Sequence, residues 1–438
     1  MCDQRLNVTE SPPRSYSGLT MKKKQSKALS LLENGQSVFL TGPGGVGKTA
    51  VLKTFIKSST MNIAVTSTTG TSALLLNGTT LHSFLGIGLG TKSIKRLVNK
   101  ILSQDWLRKR WVLLDCLVID EVSMMHPNLF DKLEEIARIV RNNNKPFGGI
   151  QLALSGDFLQ LPCIETLHFC FQAKSWKKCV PNIIYLDEII RQGDRKFQDC
   201  LNAVRLGNIT DGVRKILDNR VGIKLSNEFG IRPTKLYSKN VNVEKENDVE
   251  LDKLAQKGKE FCVYEMDIQT YHSSKCEKDF TIKKFKKFCP APNHLELCEG
   301  AQVMLVKNID LPCGLANGSR GIVVGFTSED LPIVRFLNGK ERPIGMELWE
   351  MEEQNKVILR AYQIPLRVAY AISIHKSQGC SLDYAQIDLS NIFEYGQAYV
   401  ALSRVKSLRG LSISVIDYNC IQADPVAVAY YETLSCSK

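Results

Sequence analysis

The stretch Gly42-Pro43-Gly44-Gly45-Val46-Gly47-Lys48-Thr49 meets every fixed position of the pattern G-x-x-x-x-G-K-[ST]. Glycines let a backbone fold tightly enough for successive N–H groups to converge on one anion. Lys48 is then placed to reach the β- and γ-phosphates of a nucleotide, and the Thr49 hydroxyl to sit on Mg²⁺. Asp120-Glu121 follows the loop by about seventy residues. In an enzyme with such a loop, the first acid holds Mg²⁺ and the second polarises the attacking water. Gln160, within Gly156-Asp157-Phe158-Leu159-Gln160-Leu161-Pro162, is suited to sensing the γ-phosphate. Arg191 and Arg404 are the candidates for neutralising charge on the phosphoryl group in flight. Arginine fingers contribute on the order of 10³–10⁵ in rate.

A second set of residues suits a nucleic acid strand. His375-Lys376-Ser377-Gln378-Gly379 offers donors for phosphate oxygens, as do Thr68, Thr69 and His82. Phe84 and Tyr399 are candidates for stacking on bases, worth about 1–3 kcal/mol per base when well placed. Each of these aromatics could equally be a core residue.

These residues need elements to hold them. Residues 36–41 read as a short buried strand feeding the loop, and 50–56 as a helix leaving it with its N-terminus at the phosphates. Residues 62–66, 116–121, 150–155 and 183–186 read as further strands, and 22–32 and 129–140 as helices. Candidate residues therefore stand at strand ends, as an α/β domain with a mostly parallel sheet requires. A second β/α unit starts near residue 187 and resumes at 369–416. Between them the texture turns to short β-rich runs, which predicts a small inserted barrel. The Lys-rich segment 275–287 reads as a solvated face rather than a dedicated nucleic-acid patch.

Composition narrows the class. With 438 residues, 44% hydrophobic and 23% charged, the chain is of ordinary globular character and long enough for two to four domains. No run of eighteen apolar residues occurs, so no membrane span is expected. The fourteen cysteines include no C-x-x-C pair, which argues against a zinc site or disulfide framework and for free thiols. A net charge of +12 favours a polyanionic partner.

The chain resembles the PIF (petite integration frequency) family of 5′-to-3′ DNA helicases, in the RecD-like branch of helicase superfamily one. The resemblance covers roughly residues 19–435. It rests most specifically on 129–134 and on Asn144-Lys145-Pro146-Phe147-Gly148-Gly149-Ile150-Gln151 running into Gly156 to Pro162. Residues 79–84, Arg191-Gln192, 300–308, 375–379 and 397–404 match in the family's order. Cys163 departs from it, standing where many relatives have a second proline.

The resemblance implies two RecA-like domains with parallel sheets: a first over 19–186 with a wedge insert at about 85–110, and a second over 187–438 with a Src-homology-three-like barrel at about 309–363. Residues 1–18 are expected to be a disordered lead. By similarity Gln25 would read adenine; Gly42 to Thr49 would hold ATP; Thr49 and Asp120 would hold Mg²⁺. Gln160, Arg191 and Arg404 would close on the γ-phosphate, with Lys48, Asp120 and Glu121 completing the catalytic set. Thr68, His82, Phe84, His375, Lys376, Ser377, Gln397, Tyr399 and Arg409 are then the expected nucleic-acid contacts. The implied activity is ATP-dependent unwinding of duplex, RNA–DNA hybrid and quadruplex DNA in telomere, repair and mitochondrial genome maintenance. A monomer is expected, with a dimer on DNA as an alternative, and the nucleus or the mitochondrion as compartment. Two rivals are an RNA-directed translocase and an ATP-switched single-strand binder that never unwinds.

Overall fold

The computed structural model describes residues 21–69, 72–73, 76, 78–88, 90–163, 166, 168–225, 230–271, 275–310, 313, 315, 317–353 and 356–436. The expected lead at 1–18 lies outside them. The first unit is built on six parallel strands: β1 (Val38–Thr41), β2 (Ile63–Ser67), β3 (Thr79–Thr80), β4 (Cys116–Asp120), β5 (Gln151–Gly156) and β6 (Asn182–Tyr185), in the order β3-β2-β4-β5-β1-β6. Strands β1, β4 and β5 are buried at every residue. Such runs are what a parallel sheet covered on both faces demands.

Alternation along them separates two cores. Phe39, Leu117, Ile119, Leu152 and Leu154 face one layer, packed with Phe130, Trp111 and Trp176. Val38, Leu40, Cys116, Val118 and Ala153 face the other, against the helices Lys23–Glu33 and Lys48–Ser58. Because β4, β5 and β1 are neighbours, their C-terminal ends bring Asp120, Gly156 and Gly42 side by side. Crevices at such ends are where open parallel sheets bind ligands. The segment expected as a wedge holds two helices, Ile94–Ser103 and Asp105–Val112, packed on the first core through Leu97, Ile101, Leu107 and Trp111.

The second unit is a four-stranded parallel sheet of 371–373, 234–237, 385–389 and 411–416, in that order. The helix Asn240–Ala255 packs on this sheet, its Asn247 bonded to the Ala371 backbone, and the insertion lies between it and residue 371. Its β-rich part is wider than the expected 309–363. Strands Phe261–Glu265 and His294–Cys298 pair with each other, and their Tyr264, Leu295 and Leu297 share one core with Val303, Val323, Val334, Phe336 and Leu366. Asp267–Thr270 pairs with Lys356–Gln363. The helix Lys275–Phe288 interrupts this texture in sequence and hides its start. It is also not wholly solvated, since Phe285 is buried.

The chain's end returns to the first unit. The helix Pro425–Cys436, assigned from the sequence to the second unit, packs in the first. Ala427 and Tyr431 are buried in the first unit's core, and the Tyr430 ring stacks on Phe171 at 3.9 Å. A short apolar helix carries no information on which sheet it covers, so its sequence neighbours misplace it.

Candidate nucleotide and nucleic-acid site

The loop after β1 has the backbone its glycines permit. Gly45 and Gly47 both stand at φ +84, and a Cβ on either would come within 2.6 Å of Arg191 Cβ or 2.7 Å of Gln25 Nε2. Lys48 opens the helix behind the loop, and its ammonium donates to the carbonyls of Gly42 at 2.7 Å and Pro43 at 2.9 Å. Burial lowers the Lys48 pKa, against the pull of Asp157, Glu121 and Asp120. Gln25 braces the loop: its Nε2 donates to Val46 O at 2.9 Å, and its Oε1 accepts from the Lys22 N–H at 2.9 Å. One N–H of that amide remains for a base.

At the end of β4, Asp120 Oδ2 accepts from Ser72 Oγ at 2.7 Å. Glu121 takes the left-handed region at φ 53, a conformation that costs a non-glycine residue and is concentrated at functional sites. Burial, then Asp120, pushes its pKa up to about 7, with Lys48 and Arg404 pulling the other way. Thr68 donates its hydroxyl to the Glu121 carbonyl at 2.8 Å. That corrects the expectation of Thr68 on the strand, because its donor is spent on holding the Glu121 backbone.

Gln160 Nε2 reaches Asp157 Oδ2 at 3.3 Å. Asp157 in turn makes a two-pronged ion pair with Arg205 of the helix Arg195–Arg205, at 2.6 and 3.0 Å, with side chains 0% and 3% exposed. Burial opposes ionisation of Asp157, but the charge and hydrogen bonds of Arg205 outweigh it and hold its pKa below the usual carboxylate range. The same guanidinium lies 4.7 Å from the Tyr431 ring. The Tyr431 hydroxyl meets Thr41 Oγ1 at 2.6 Å and accepts from the Phe158 N–H at 3.1 Å. One buried cluster thus joins the residue before the loop, the Gln160 segment, the second unit and the terminal helix.

Arg191 and Arg404 arrive from the second half. Arg404 is 2% exposed; its Nε donates to Val400 O at 2.8 Å and its Nη2 to Ser403 Oγ at 2.8 Å. Arg191 Nη1 donates to Ser403 O at 3.1 Å. Burial and then Arg404 push the Arg191 pKa down to about 9, and burial lowers that of Arg404. Among the described residues neither arginine has a carboxylate in salt-bridge contact, and both line the cavity of ≈ 930 Å³ that also contains Gly44, Gly45, Gly47, Lys48, Thr49, Glu121 and Gln160. A buried guanidinium without a counter-charge, as at Arg404, is costly. A polyphosphate supplies the missing charge. The oxygen donors Thr49 and Asp120 suit Mg²⁺, which binds through one or two protein oxygens plus phosphates.

The nucleic-acid candidates divide. His82 and Phe84 are half-buried on the helix Leu81–Phe84, the Phe84 ring lying 4.9 Å from the Arg110 guanidinium. Lys376 and Arg409 are exposed, and His375 is half-buried with Nε2 3.1 Å from Glu394 Oε2. Ser377, Gln397 and Tyr399 point inward and are corrected. Ser377 Oγ donates to Ile374 O, and Gln397 Oε1 accepts from Phe393 N–H. Tyr399 is 2% exposed with its hydroxyl accepting from Gly44 N–H at 2.7 Å, so its ring cannot meet a base. An exposed aromatic here is Phe393, at 57%, its ring stacked against His375. Sequence reasoning missed Phe393, Arg205 and Tyr431.

A P-loop opposite arginines from a second parallel-sheet unit defines a two-domain RecA-like nucleoside triphosphatase. The family profile for PIF1-like helicase matches residues 20–215, and that for the DNA helicase Pif1 2B domain matches 283–326. A protein of Invertebrate iridescent virus 6 is 38% identical over 94% of each chain. The human ATP-dependent DNA helicase PIF1 is 40% identical over 98% of this chain and 65% of its own length. The crystal structure of Bacteroides sp Pif1 with ADP-AlF4 is 29% identical, covers 96% of this chain and 98% of its own, and has a TM-score of 0.82. The chain belongs to the PIF1-like helicases, a family of ATP-dependent DNA helicases.

Proposed function

We propose that this protein hydrolyses ATP between its two RecA-like units to move 5′-to-3′ along single-stranded DNA and to part the strand's partner. The observation that carries the reading is the Arg191–Arg404 pair, unpaired cations held over the loop by the second unit. The units are therefore drawn together by the triphosphate and relax when the γ-phosphate leaves. Gln25 and the loop bind and orient the nucleotide. Mg²⁺, held by Thr49 and Asp120, would neutralise phosphate charge. Glu121, at the end of β4 and lining the same cavity as Lys48 and Gln160, is placed to take a proton from the attacking water. Gln160 reads the γ-phosphate and is tied through Asp157 to Arg205, which carries the state to the second unit.

Lys376 and Arg409, with the half-buried His82, Phe84 and His375, are the side chains proposed for the strand. Duplex DNA, RNA–DNA hybrids and quadruplexes are the proposed substrates, and genome maintenance at telomeres, in repair and in mitochondria the proposed setting; both rest on the family resemblance. The test is hydrolysis with and without single-stranded DNA or RNA. Strong stimulation by DNA is expected. Tight DNA binding with no stimulated hydrolysis would leave only a switched binder, and stimulation by RNA alone would make it an RNA translocase.

A further inference from the structure

The Tyr399 hydroxyl is the one second-unit side-chain atom bonded directly to a loop amide among the described hydrogen bonds. It accepts from Gly44 N–H at 2.7 Å. A phenol has one proton to donate as well as lone pairs to offer. Among the described residues the Tyr399 oxygen accepts from Gly44 and donates to none. A buried O–H is expected to find an acceptor, because an unmet polar group in the interior costs free energy.

The surroundings specify which acceptor. A Cβ built on Gly44 would lie 3.3 Å from Arg404 Nη2, 3.5 Å from Tyr399 Oη and 3.6 Å from Ser403 Oγ, so the guanidinium and the phenol converge on one point over the loop. Ser403 Oγ is already donated to Val400 O and accepts from Arg404, which leaves it no proton for a ligand. The charges around the phenol are those of Asp157, Arg205 and Arg404, and its ring is locked in the second unit's core with Val400, Ala401 and Leu402. The hydroxyl cannot swing away without repacking that core.

We propose that Tyr399 is a γ-phosphate-binding residue, whose hydroxyl donates to an oxygen of the terminal phosphate while holding the Gly44 peptide in place. This deepens the reading of the ATP site above and rests on it. It makes Tyr399 a discriminator between nucleoside triphosphate and diphosphate. The diphosphate lacks the group the phenol addresses, while the loop amides and Lys48 serve both. It also explains why the tyrosine has to be inside: on the strand it would stack on a base, but here it reports the nucleotide to the helix Gln397–Leu402 that carries it.

Tyr399→Phe keeps the ring and removes only the hydroxyl. Equilibrium binding of a non-hydrolysable ATP analogue and of ADP, each with Mg²⁺, should show the analogue weakened about ten-fold more than ADP, with a small drop in the unfolding midpoint because the Gly44 N–H loses its acceptor. Ten-fold corresponds to about 1.4 kcal/mol, within reach of a hydrogen bond to a charged group. Equal weakening of both nucleotides, or of neither, would overturn the proposal. Tyr399→Leu separates packing from chemistry: it removes the ring as well as the hydroxyl and should lower the unfolding midpoint further than Tyr399→Phe does. The wild-type measurement stands apart from helicase activity. If the analogue binds and DNA fails to stimulate hydrolysis, the proposed function falls while the role of Tyr399 is still read from the two affinities.

Discussion

Replacing Asp157 by Asn removes one charge from the most deeply buried ion pair described here and leaves Arg205, 3% exposed, with its charge uncompensated. Breaking such a pair by removing one partner costs about 3–5 kcal/mol, because desolvation of the survivor is no longer offset. Asparagine can still accept one of the two Arg205 hydrogen bonds, which puts Asp157→Asn at the lower end, about 3 kcal/mol. Arg205→Met should cost as much or more, since it strands a carboxylate and also removes the cation from the Tyr431 face. The double variant Asp157→Leu/Arg205→Met leaves no buried charge and should be less destabilised than either single variant, a coupling readable as a double-mutant cycle. Urea unfolding followed by tryptophan fluorescence is a suitable assay, because Trp176 sits 6.1 Å from the Phe158 ring next to the pair. The pH dependence has a definite sign. Folding lowers the Asp157 pKa, so the pair's stabilisation is complete above the unfolded carboxylate value of about 3.9 and is lost as pH falls through and below it. Wild type should therefore lose stability below about pH 4 more steeply than Asp157→Asn. Additive single-variant costs, or a loss under about 0.5 kcal/mol, would refute a paired, desolvated linkage between the units.

Two further outcomes follow from the site. Lys48→Ala should abolish hydrolysis while DNA binding, measured by fluorescence anisotropy, stays within a few-fold; equal loss of both would misplace the nucleotide. Arg404→Ala should retain ATP binding and slow turnover by about 10³-fold, the low end of what arginine fingers contribute, in a single-turnover hydrolysis assay. Normal turnover would remove Arg404 from the reaction.

Much of this site was legible because its parts are local in sequence. The loop, the strand-end acids and the Gln160 segment each carry their signal within a few residues of a buried strand, and parallel pairing of β4, β5 and β1 does the rest. What was not legible depends on long-range packing. Tyr399 and Gln397 look like exposed candidates on a short helix, yet that helix is buried at all six positions and no periodicity over so few residues reveals it. Arg205 reads as the last residue of an amphipathic helix; only its partner, 48 positions earlier, makes it interior. The terminal helix returns to the first unit through Tyr431 contacts separated by 390 positions, a pairing no local pattern encodes. The breadth of the β-rich insertion was hidden likewise, because its strands at 261–270 pair across an intervening helix.

Strand displacement tests the central claim most directly. Labelled duplexes with a 5′ single-stranded tail, a 3′ tail or no tail are mixed with protein, Mg²⁺ and ATP, and release of the labelled strand is followed in time. ATP-dependent displacement of the 5′-tailed substrate alone is the predicted result, abolished by Lys48→Ala. Displacement of the 3′-tailed substrate instead, or of none while DNA-stimulated hydrolysis persists, would contradict a 5′-to-3′ helicase.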